Sequence, residues 1–128
     1  MADFDPVDFY HQASACYAAD SSKKQVTCRS VISRAYYAAF LAARKKAGIK
    51  APPKDMTIHE LVALYYANKP DGVQKGIGNR LQQLRVRRND ADYELGILCV
   101  PNYASTALIQ SEQVLVALGY LTPPATTR

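Results

Sequence analysis

Apolar residues in this chain recur at helical spacing, and proline and glycine divide them into five blocks. Asp5 is placed to cap a first helix with Pro6 at its first position. That helix runs to about Ala19. A long second helix is predicted from about Ser22 to Ala47, stopping at Gly48. AGIKAPPK then reads as a loop. Thr57 and Glu60 match the S/T-x-x-E capping box and start a short third helix that ends near Asn68, before Pro70. A fourth runs from near Gly72 to about Glu94, and a fifth from Pro101 to Gly119. No stretch alternates with period two long enough to make a strand. The expectation is all-α: an up-and-down bundle of four to five helices, one domain over residues 1–121, with a flexible tail at 122–128.

Two of these helices have unusual faces. In the second, Ile32, Ala35, Tyr36, Ala39 and Ala43 recur at helical spacing, and the alanines let a neighbour approach closely. Tyr36 is expected in that seam, packed in the core with its phenol tip reaching water or a partner. In the fourth, Ile77, Leu81, Leu84, Ala91 and Leu95 fall within about 40° of one direction. The position that completes the stripe holds Arg88. An always-charged guanidinium in an apolar stripe needs a partner, because burying it unpaired costs several kcal/mol. Asp92, four residues on, is one answer, as a structural pair. A ligand phosphate, matched to the planar fork of arginine, is the other. Arg85 shares the flank of Asp92, whereas Arg87 lies about 100° round from Arg88 and reads as solvated.

The chain has 128 residues, 48% hydrophobic and 21% charged, a globular composition. No apolar run approaches the roughly 20 residues of a membrane span. MADFDPVDFY also lacks the basic and apolar regions of a signal peptide. A cytoplasmic protein without membrane contact is expected. Cys16, Cys28 and Cys99 are widely spaced and form no zinc pattern, and His11 and His59 are the only histidines. The residues therefore point to no metal and no cofactor, and the cysteines read as small hydrophobes.

The net charge of +5 conceals a segregation. Residues 23–88 hold 15 of the 16 lysines and arginines against three acids, a net +12. Residues 1–20 and 90–127 hold four acids each and no base. A basic surface from the middle of the chain attracts phosphate. Arg44, Lys45, Lys46 and Lys50 also suit the end of the second helix, where cations favour the dipole.

Three stretches, SRAYYAAFLAARKKAG at 33–48, TIHELV at 57–62 and LRVRRNDADYE at 84–94, together resemble the HEPN superfamily. They are similar to small prokaryotic members with an S-R-A-Y-Y-A-x-F helix and an R-N-x-A-D-Y helix, over about half the chain. The resemblance implies a helical bundle paired as a homodimer, often in toxin–antitoxin or defence modules and beside a small nucleotidyltransferase. Active members are metal-independent endoribonucleases with an R-x(4–6)-H motif, which meets its copy across the dimer in one RNA cleft. Carried over, the motif arginine is Arg88 and its polar follower is Asn89. The histidine positions hold Tyr93, Glu94 and Leu95 instead. Histidine suits proton transfer near neutral pH, and a phenol with an ordinary pKa of about 10 does not.

The resemblance thus implies Arg88, Asn89 and Tyr93 as the catalytic set, and Arg34, Arg85, Arg88 and His59 as the RNA- or nucleotide-binding set. On an ideal helix Tyr93 points away from Arg88 and would join it only across a dimer or at an irregular turn. His59 opens the third helix, where it either approaches the Arg88 cleft or serves the capping region. Two functions are expected: an RNA- or nucleotide-contacting homodimer, or a non-catalytic subunit that binds a nucleotidyltransferase or another defence protein.

Overall fold

A computed structural model describes residues 4–124 as five helices, and no strand occurs among them. They are α1 (Val7–Ala19), α2 (Gln25–Ala47), α3 (Ile58–Ala67), α4 (Gly72–Tyr93) and α5 (Pro101–Ala117). The all-α class is as expected, and each of the five helices overlaps its predicted span. Residues 125–128 of the predicted tail lie outside the described residues.

The bundle is built around α2, which packs against all four other helices. Its small residues explain this position. Ala35, Ala38, Ala39, Ala42 and Ala43 are fully buried, so neighbouring backbones approach on several sides. Two of its carbonyls take hydroxyl bonds in the core: Ser111 Oγ donates to Ala35 O at 2.7 Å, and Tyr66 Oη donates to Ala43 O at 2.7 Å. Each satisfies a buried polar group that would otherwise be costly. Between α3 and α4 the close approach depends on Gly78. A Cβ there would lie 2.5 Å from Ala67 N and 2.7 Å from Ala63 O.

The helix ends follow local chemistry. Asp5 Oδ1 accepts from Val7 N at 3.0 Å, so Asp5 does bind the first turn although the helix boundary falls at Pro6. Thr57 Oγ1 accepts from Glu60 N at 3.1 Å, as the capping box requires. Gly48 ends α2 in the left-handed region at φ 73°, donating to Arg44 O and Lys45 O. The α2 start differs from the expectation. It begins at Gln25 rather than Ser22, because Asp20 organises the preceding turn. The Asp20 carboxylate accepts from Ser22 N, Ser22 Oγ, Lys24 N and Thr27 Oγ1, and Lys23 adopts φ 50°. These bonds, the Ser22 hydroxyl first, hold the carboxyl far below its ordinary range.

The stripe on α4 is present from Ile77 through Leu81, Leu84 and Arg88 to Ala91, all buried. Its predicted last member, Leu95, is not part of it. α4 stops at Tyr93, and Leu95 lies in the following turn, 93% exposed. That turn is held from behind by α2. Arg29 Nη1 donates to Asp90 O and Ala91 O, and Nη2 to Glu94 O and Ile97 O. One turn earlier, Gln25 exchanges two bonds with the Cys99 backbone, Nε2 to Cys99 O at 2.6 Å and Cys99 N to Oε1 at 3.1 Å.

Candidate nucleic-acid cleft

The α4 stripe turns Arg88 inward, toward α2, and leaves it 5% exposed. Its guanidinium faces three aromatic rings, at 5.2 Å from the centroid of Tyr36, 5.4 Å from Tyr37 and 5.9 Å from Tyr93. Ring faces attract a cation and recover part of its lost hydration. The carboxylate partner is present but distant: Arg88 Nη1 lies 3.9 Å from Asp92 Oδ2, beyond hydrogen-bond range. Asp92 also accepts from Ser33 Oγ at 3.2 Å. Arg88 Nε and Arg85 Nε are buried with no hydrogen-bond partner. Native structures rarely leave such donors unmet.

Tyr93 reaches Arg88 within one chain, contrary to the ideal-helix expectation. It is the last residue of α4, next to the point where the chain turns extended at Glu94, and its ring centroid lies 5.9 Å from the guanidinium. The residue stays 68% exposed. His59 also joins the cluster. Its ring stacks on Phe40 at 4.5 Å, and its Nδ1 is hydrogen-bonded to Tyr36 Oη at 2.5 Å. Burial lowers the pKa of His59, and the positive charges of Arg88 and Arg85 lower it further. Burial pushes the Tyr36 phenol well above its usual range, with the same arginines opposing it. Both groups are therefore neutral near pH 7.

An open groove of about 620 Å³ runs between α1, α2 and the end of α4. Arg34, Ser33, Tyr37 and Asp92 line it, and Tyr37 and Asp92 are also neighbours of Arg88. Arg34 Nη1 donates to Gln12 Oε1 at 2.7 Å, which fixes it on the α1 side. The fold thus gathers Arg85, Arg88, His59, Tyr93 and Asp92, and places Arg34 across the adjoining groove. Asn89 is half-buried, about 100° round the helix from Arg88, and no hydrogen bond joins it to the cluster. Arg87 is not simply solvated, because its guanidinium lies 3.6 Å from the centroid of the Tyr103 ring.

Tyr36 and Tyr37 are the site residues that periodicity alone assigns to packing. Both rings lie beside Arg88, Tyr36 from within the seam and Tyr37 from its edge, but only the α2–α4 contact reveals it. Arg29 lacks any sequence signal, since its partners are main-chain carbonyls some 60 to 70 residues away.

No protein-family model matches the chain. No solved structure matches it significantly either. It is 33% identical to an uncharacterized protein of Methanocaldococcus jannaschii, over 72% of this chain and 64% of that one. The chain therefore spans less than two thirds of that relative's length. Among the described residues, no group of three His, Cys, Asp or Glu side chains is placed to hold a metal ion. No helix among them is long and apolar enough to cross a membrane.

Proposed function

We propose that the chain contacts RNA or a nucleotide phosphate through the Arg88 cleft, as an HEPN-like protein acting as a homodimer. One observation carries the reading: Arg88 is buried, its carboxylate partner is beyond hydrogen-bond range, and its Nε has no acceptor. A phosphate oxygen on the Asp92 side of the guanidinium supplies the close anionic acceptor that Asp92 at 3.9 Å does not, and guanidinium binds phosphate in bidentate fashion. Arg85 beside it has the same unmet Nε, and Arg34 adds positive charge across the groove. Tyr37 and Tyr93, which keep part of their surface in solvent, form a wall on which a base or ribose can pack.

A second reading has its own support. The protein is then a non-catalytic subunit of a prokaryotic toxin–antitoxin or defence module, bound to a nucleotidyltransferase or another defence protein. His59 Nδ1 is already engaged by Tyr36, and the R-x(4–6)-H positions hold no histidine. Exposed Leu95 and Leu98 would suit a protein partner.

Incubation of the purified protein with tRNA and total RNA, with and without EDTA, separates the two. RNA binding that Arg88→Ala reduces tenfold or more supports the first reading, and EDTA-resistant cleavage would add a metal-independent endoribonuclease activity. Wild-type protein that neither binds nor cuts RNA at low salt sinks it and leaves the second.

A further inference from the structure

On the opposite flank of α4 from Asp92, a second groove of about 650 Å³ separates α4 from α5. We propose that this groove is a nucleobase-binding site, distinct from the Arg88 cleft and independent of it. The base is presented either by single-stranded RNA or by a free nucleotide.

The platform is the Arg87–Tyr103 pair. At 3.6 Å from the ring centroid, the guanidinium lies over the face of the tyrosine. Arg87 forms no ion pair among the described residues, although Asp90 lies one turn away on the same helix. Both partners line the groove and remain partly exposed, so the stack is open to a third planar group. Bases stack on aromatic rings and on arginine planes alike.

The rest of the lining fits the edges of a base. Gln83, Gln110 and Asn102 offer amide donors and acceptors, and Thr106 offers a hydroxyl. Gln110 Nε2 donates to Gln83 Oε1 at 2.6 Å, which holds both amides at the groove and leaves further donors and acceptors on each. Val86, 61% exposed, supplies an apolar wall. No carboxylate lines the groove, so neither a metal ion nor a cationic ligand is favoured, and Arg87 is compatible with an attached phosphate.

The test compares binding of a heptauridylate RNA with an abasic heptamer of the same backbone, by fluorescence anisotropy. Side-chain amide resonances of Gln83 and Gln110 are followed by NMR as adenosine or uridine monophosphate is added. Wild type is expected to prefer the base-bearing oligomer, and Tyr103→Ala to remove about five- to a hundred-fold of that preference, the range for one stacked base. Gln83→Ala, on an exposed side chain, is expected to reduce it several-fold without disturbing the core, which keeps the test intact if Tyr103→Ala fails to fold. Amide shifts on adding a mononucleotide identify a free nucleotide as a ligand, and shifts with RNA alone identify the strand. Equal affinity for both oligomers with unmoved amide resonances overturns the proposal. Arg88→Ala should weaken both oligomers alike. If it does not, the phosphate reading of the Arg88 cleft fails while this site stands.

Discussion

Arg88 is a charged residue whose surroundings only partly compensate it. Three rings and a carboxylate at 3.9 Å surround a guanidinium whose Nε has no acceptor. A buried ion pair of this kind is weak evidence for stability, and apolar replacements are often neutral or stabilising by about 1–4 kcal/mol. Arg88→Met is therefore expected to keep or raise the melting temperature while RNA affinity falls at least tenfold. A sharp drop in melting temperature would instead make the arginine structural. His59 supports a pH prediction. Its folded pKa lies below the ordinary 6.5, so the unfolded chain binds more protons as pH falls through 6.5. Stability should be complete above that value and decline below it, down through the lower folded pKa. His59→Gln should flatten melting temperature between pH 7.5 and 5.5, and an unchanged slope would show that another group controls it.

At the scale of elements, the α3–α4 contact makes the sharpest claim. Gly78 meets main-chain atoms of α3 rather than the end of a flexible side chain. Gly78→Ala should cost about 1–3 kcal/mol, the range for overpacking, despite the better helix propensity of alanine. Urea denaturation measures it, and a stabilised variant would refute the close approach. Sequence pattern located all five helices and the buried α4 stripe, because burial imposes a 3.6-residue period. It misplaced the start of α2, where four bonds to the Asp20 carboxylate outweigh the propensity of Ser22–Lys24. It also ran the stripe on to Leu95, beyond the point where the helix stops. The odd placement of Arg88 was legible, since a charge in a periodic apolar series stands out. Its neighbours Tyr36 and Tyr37 on α2 were not, because contacts between α2 and α4 leave no period in either helix.

For the whole molecule, the decisive property is charge segregation. Fifteen of the sixteen lysines and arginines fall in residues 23–88, which supply α2, α3 and most of α4. If the Arg88 cleft engages three or four phosphates of single-stranded RNA, log affinity should fall with log salt at a slope of about −2 to −3. Titration between 50 and 300 mM salt reads this directly, and a flat dependence would exclude a phosphate-led interaction. Homodimer formation is checked by sedimentation across a range of protein concentrations.

The Arg29 clamp also bears on how this sequence can change. α4 ends with Asp90, Asp92 and Glu94 and no basic residue in its last turn, an arrangement its own dipole opposes. Arg29, on another helix, supplies the missing positive charge and takes the terminal carbonyls. The acids beside the cleft are thus tolerated on loan from α2. In descendants of this chain, loss of Arg29 should be accompanied by loss of acids from 90–94 or by a new cation within that turn, so the two segments are expected to drift together.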